Sequence, residues 1–113
     1  MVIKQGAIYL VNFNPSKGTE AGKVRSALVV QTDLLNQLEH PSTLVMPLTT
    51  VLSSVQNVLR FRINKRDKLE QNSDLMLEQI RAIDNQRFCS DVLTELTQNE
   101  WRQVKAAALK LMF

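Results

Sequence analysis

Cys89 and His40 are the only cysteine and the only histidine in the sequence, and their scarcity prunes the chemistry open to the chain. A structural zinc site draws its ligands mainly from these two residue types, so the sequence argues against one. A pair of histidines acting as base and acid within one chain is excluded. Neither G-x-x-x-x-G-K-[ST] nor G-x-G-x-x-G occurs, which removes the common glycine-rich phosphate cradles. Any reaction must therefore be run by arginine, lysine, serine, threonine, aspartate or glutamate, and no metal and no cofactor is expected. Cys89 itself reads as a small apolar packing residue, and His40, just before Pro41, as a surface residue.

The cations are unevenly placed. Arg60, Arg62, Lys65, Arg66 and Lys68 face only Asp67 within their stretch, a larger excess than the +3 of the whole chain. Such a cluster attracts polyanions or an acidic partner. Its plainer reading is a solvated hairpin edge, charged against edge-to-edge aggregation.

The elements that must position these groups are mostly strands. Ala7–Phe13 is β-rich, with Ile8, Tyr9, Leu10, Val11 and Phe13, and is too short for a helix. From Asn14 to Val24 runs a long connection with Pro15, Gly18 and Gly22, of the length that often carries function. Ala27–Gln31 predicts a strand buried on both faces. Asp33–Glu39 suits one or two helical turns, and Thr43–Leu48 a third strand with Pro47 near its end. Val58–Ile63 alternates, Leu59, Phe61 and Ile63 on one face against Val58, Arg60 and Arg62, as a half-buried antiparallel strand does. Asn64–Asn72 is a turn, and Ser73–Arg81 returns as one further strand. Thr97-x-x-Glu100 is a capping box, Leu96 and Trp101 a hydrophobic staple. Trp101, Val104, Ala108 and Leu111 then recur at helical spacing, so Gln98–Met112 is an amphipathic helix whose apolar stripe packs on the core.

The 113 residues, 44% apolar and 22% charged, suit one globular domain over 1–113 and argue against a disordered chain. No apolar run is long enough for a membrane-spanning helix. The N-terminus lacks the apolar core and cleavage site of a signal peptide, and the single cysteine cannot form an internal disulfide. A reducing, cytoplasmic compartment is expected.

In order, Gly6-x-Ile8-Tyr9-Leu10-Val11-Asn12-Phe13-Asn14-Pro15, Lys17-Gly18-Thr19-Glu20, Gly22, Arg25 and Ala27-Leu28-Val29-Val30 resemble the opening of the MazF/PemK family. The Val45–Thr50 strand end, Leu77-Glu78-Gln79-Ile80-Arg81-Ala82-Ile83-Asp84 and Arg87 extend the likeness over nearly the whole chain. The resemblance implies a small SH3-like β-barrel with a C-terminal helix, mainly β with α, assembled as a homodimer. It implies a toxin of a type II toxin–antitoxin module that cuts single-stranded RNA without a metal. The RNA's own 2′-hydroxyl attacks the neighbouring phosphorus, leaving a 2′,3′-cyclic phosphate and a 5′-hydroxyl. The implied partners are that RNA and an antitoxin whose acidic, disordered tail lies over the RNA groove.

Carried over residue by residue, the family's arginine falls on Arg25, which holds phosphate oxygens and stabilises phosphorane charge. A proton-transfer role, also assigned to it in the family, conflicts with arginine's persistent charge. The family's catalytic threonine or serine falls on Thr49, with Thr50 beside it as the alternative. Glu20 is the acidic residue of the loop motif, acting as base or as a partner orienting Arg25. Lys17, Thr19, Lys23, Thr50, Glu78, Gln79 and Arg81 are the RNA-binding set, Gln79 and Arg81 suiting base edges or phosphates. Glu78 stands where some members carry aspartate. Ser26 replaces a common proline and frees one backbone φ beside Arg25. The alternative function is a gyrase-binding poison of the CcdB kind on the same fold, without nuclease activity.

Overall fold

The computed structural model describes residues 2–15, 18, 22–55 and 57–112. In chain order the elements are β1 (Ala7–Asn12), β2 (Val24–Val29), α1 (Asp33–Gln37), β3 (Ser42–Thr49), β4 (Arg60–Ile63) and β5 (Ser73–Met76). They continue with β6 (Arg81–Asp84), β7 (Thr94–Glu95) and α2 (Gln98–Met112). Gly6, with φ +86°, makes the turn that leads into β1. The sheet runs β4-β5-β3-β2-β1-β7, with β6 also paired to β3, and curls into a half-barrel against α2.

β3 is the hub. Its first half pairs with β6, Thr43 opposite Ile83 and Val45 opposite Arg81, and its middle pairs with β2, Ala27 opposite Pro47 and Val29 opposite Val45. At Leu48 and Thr49 it pairs with β5 instead, opposite Leu75 and Asp74. The sheet therefore forks where β2 and the end of β3 part.

Two apolar clusters follow from the period-two alternation of the strands. Tyr9, Val11, Phe13, Ala27, Val29, Val45 and Ile83 fill one side, where Tyr9 meets Phe88 edge to face. Ile8, Leu28, Met46, Leu48, Leu75 and Val104 fill the other, beneath α2. Each Val, Leu, Ile, Phe or Met side chain among them, withdrawn from water, contributes about 1.5–3 kcal/mol. Ala27, Leu28 and Val29 are wholly buried, as the uninterrupted apolar run implies. The capping box forms as expected: the Thr97 amide donates to Glu100 Oε1 (2.9 Å) and the Glu100 amide to Thr97 Oγ1 (3.1 Å).

Some expectations are corrected. Ser73–Arg81 is two strands with a 3₁₀ turn at Leu77–Gln79 between them. Both strands pair with β3, yet Arg81 rather than Glu78 stands opposite Val45, so the turn takes up the extra residues. β4 starts at Arg60, because Val58 and Leu59 form a turn closed by the Arg60 amide on Asn57 O (3.1 Å). The stripe of α2 packs through Trp101, Val104 and Ala108 and fails only at its end, where Leu111 is 40% exposed and Met112 more so. Cys89 is exposed, not a packing residue. Phe88 takes the inward position, and the next residue along extended backbone faces out. His40 is exposed, as expected. Among the described residues no helix is long and apolar enough to cross a membrane.

Candidate functional site

The fork in the sheet is occupied by a guanidinium. Arg25 lies on β2 opposite Val11, and its Nε donates to Gly22 O (2.9 Å) while Nη1 reaches across to Leu48 O (3.4 Å). Arginine has more N–H donors than these two carbonyls consume, so the head remains able to grip an oxyanion. Partial burial lowers its pKa below the usual arginine range, and it stays a cation at neutral pH.

The base of the loop before Arg25 is tied in several places. The Lys23 amide donates to Asn14 Oδ1 (2.7 Å), and the Phe13 amide to Lys23 O (2.9 Å). Lys23 takes a positive φ of 59° there. Arg87, from far along the chain, donates through Nη1 to Asn12 O (3.0 Å) and to Asn14 O. Arg87 belongs to the family pattern, but its contact partners are main-chain atoms, which leave no signal in residue types.

Across the fork, Thr49 ends β3. Its Oγ1 accepts from the Val51 amide (3.1 Å), which leaves the hydroxyl hydrogen to be given elsewhere. Opposite it in β5 is Asp74, almost fully buried and paired with Arg62 and Arg60. A cleft of about 740 Å³ opens between these parts, lined by Lys23, Arg25, Thr49, Thr50, Lys68 and Gln71 among others.

The cation-rich stretch is only partly available to such a cleft. Arg66 grips Glu100 of α2 with both terminal nitrogens (2.8 Å each), and Arg62 and Arg60 are committed to Asp74. Much of what reads as a polyanion patch is therefore internal wiring, tying the β4–β5 hairpin to the helix and to the loop after β3. Lys68 is the member of the cluster that lines the cleft.

Residues 4–113 match the model of the PemK-like, MazF-like toxins of type II toxin–antitoxin systems. The chain belongs to that family. It is 34% identical over 108 residues to Endoribonuclease EndoA of Bacillus subtilis (strain 168), spanning 95% of this chain and 91% of that protein. Among solved structures, MazF of Deinococcus radiodurans (Form-I) has a TM-score of 0.81 at 19% identity, covering 99% of this chain and 97% of that one. MazE–MazF of the same organism (Form-II) gives 0.77 at 19% identity, over 99% and 96%. The expected small barrel with a C-terminal helix is thus the fold of this PemK/MazF-family chain. The gyrase-poison alternative gains no support from these relatives.

On this PemK/MazF-family framework the expected site residues separate into groups. Arg25, Thr49, Thr50 and Lys23 come together around the cleft. Glu78 and Gln79 sit on the 3₁₀ turn, Glu78 exposed, and do not line it. Arg81, on β6, stacks its guanidinium over Phe13 at 5.8 Å. Lys17, Thr19 and Glu20 lie outside the described residues.

Proposed function

We propose that this chain is a toxin endoribonuclease that cuts single-stranded RNA at a short sequence without a metal ion. The observation that carries this reading is the meeting of Arg25 and Thr49 at one cleft, from two strands that the fork holds apart. In the proposed step the 2′-oxygen forms a bond to the adjacent phosphorus and the bond to the 5′-oxygen breaks. The products are a 2′,3′-cyclic phosphate and a 5′-hydroxyl end. Arg25 stabilises the charge that builds on the phosphorane oxygens, a term worth about 2.7–4 kcal/mol for one well-aimed donor. Thr49 donates its hydroxyl hydrogen to a phosphate oxygen, with Thr50 as the neighbour able to substitute.

Glu20 is the proposed base for the 2′-hydroxyl, or the group that orients Arg25. Lys17, Thr19, Lys23 and Thr50 would hold the strand near the scissile phosphate, and Glu78, Gln79 and Arg81 bases further along. Name-level support comes from the Bacillus relative, called an endoribonuclease, and from the Deinococcus MazF captured with MazE. By the same reasoning this chain acts as a homodimer in the cytoplasm and is neutralised by a cognate antitoxin with an acidic tail that folds as it binds.

The test is digestion of a defined single-stranded RNA pool in EDTA beside Arg25→Ala. The expected result is fragments with 5′-hydroxyl ends at one short motif, absent with the variant. Intact RNA from folded wild-type protein, or wild-type cutting by Arg25→Ala, would overturn the assignment.

A further inference from the structure

The segment after β3 adjoins Thr49 at the cleft, yet apolar burial does little to hold it: Val51 is 73% and Val55 71% exposed. Polar contacts from the neighbouring hairpin take that role. Asp74, only 1% exposed, accepts from the Ser53 amide at Oδ2 (2.7 Å) and from Arg62 Nε at Oδ1. The same Arg62 donates through Nη2 to Ser53 O (3.0 Å), so carboxylate and guanidinium grip both polar groups of one residue's backbone. Arg60 lies 3.5 Å from Asp74 and donates through Nη1 to Val51 O (3.1 Å). The Val51 amide in turn donates to Thr49 Oγ1 (3.1 Å). A continuous path of bonds therefore runs from a buried carboxylate to the hydroxyl at the cleft.

We propose that Asp74, with Arg62 and Arg60, is a positioning device for cleavage: it fixes residues 50–55 so that the Val51 amide holds Thr49 Oγ1 and turns its hydrogen toward the substrate phosphate. This rests on the reading of Thr49 as a catalytic group. Asp74 touches no substrate in this scheme. It acts through the loop, and its register position opposite Thr49 makes the path short. A buried, ion-paired carboxylate would be unneeded for the sheet alone, since an apolar pair of similar volume often serves stability as well or better. Amide donation to Oγ1 also makes the hydroxyl a stronger donor, as hydrogen bonds in a chain polarise one another.

The test compares Arg62→Ala, Asp74→Asn, Thr49→Ala and the Thr49→Ala/Arg62→Ala double variant in single-turnover cleavage of the mapped RNA, with hydrogen exchange at the Val51 and Ser53 amides. Arg62 is partly exposed, and its removal leaves Asp74 paired with Arg60, so that variant keeps the test valid where Asp74→Asn fails to fold. Arg62→Ala is expected to lower the cleavage rate about 10- to 100-fold with KM little changed, the scale of a small misplacement of a reacting group. Exchange at both amides should accelerate, and the double variant should be no slower than Thr49→Ala alone. A wild-type rate in folded Arg62→Ala, unaltered exchange, or losses that multiply in the double variant would overturn the proposal while leaving the role of Thr49 standing. Wild-type cleavage by Thr49→Ala would instead overturn the role of Thr49, and the positioning scheme with it.

Discussion

The Arg25 guanidinium donates to the main-chain carbonyl of Leu48, a contact that spans the gap between β2 and β3 and ties the cation to the residue just before Thr49. Position and charge are thus set together. Lysine supplies the charge without the planar fork, and with three donors in place of five it cannot hold two carbonyls and still grip a phosphate bidentately. Arg25→Lys is expected to lower cleavage about 100- to 1,000-fold, as loss of one well-aimed donor does. Its circular dichroism and size-exclusion profile should match wild type. Near-normal cleavage of a fluorogenic RNA would show that charge alone suffices.

Thr49 is predicted to need its hydroxyl and not its methyl group. Thr49→Ser should stay within about tenfold of wild type, and Thr49→Val should fall by about 100-fold, both measured as kcat under saturating RNA. Equal rates for the serine and valine variants would point to Thr50 as the working hydroxyl.

Arg87 braces the loop that ends in Arg25, by donating to Asn12 O and Asn14 O. Hydrogen bonds from a charged donor contribute about 1.5–3 kcal/mol each in favourable settings. Arg87→Gln should therefore lower unfolding stability in urea by about 2 kcal/mol and reduce cleavage as well, because Arg25 inherits the looseness. A variant with reduced stability and unchanged cleavage would separate the brace from the site.

The bond from Arg66 holds the Glu100 carboxyl below its ordinary 4.5, with burial opposing and the Thr97 amide assisting. The folded value lies below the unfolded one, so this contribution is complete above about pH 4.5 and is lost as pH falls through the folded value. Glu100→Gln keeps a capping-box partner for Thr97 and removes the charge. Urea unfolding at pH 7 and pH 3 should show wild type losing more stability than Glu100→Gln; equal losses would assign acid sensitivity elsewhere.

Much of this was legible in the residues themselves. Apolar alternation located most of the strands, Thr97 and Glu100 announced the helix start, and the family pattern singled out Arg25 and Thr49, which the fold then brings to one cleft. What escaped sequence reading depends on partners distant in the chain. Arg60, Arg62 and Arg66 look like a free cationic patch until Asp74 and Glu100 are seen beside them. The break at Leu77–Gln79 follows from two strands sharing β3, which local propensity cannot register. Free cysteine is usually buried, but the side on which Cys89 lies is fixed by Phe88 taking the inward position.

The pairing of β1 with β7 joins Ala7 and Ile8 to Glu95 and Thr94, and Arg87 closes the loop before Arg25 from 73 to 75 residues away. Synthesis delivers the N-terminal segment first. The ribosome therefore releases Arg25 and Thr49 well before the strand and the brace that hold them in place. An unfinished chain carries the residues of the cleft without the cleft, so the site cannot be assembled until synthesis has passed Arg87 and Glu95.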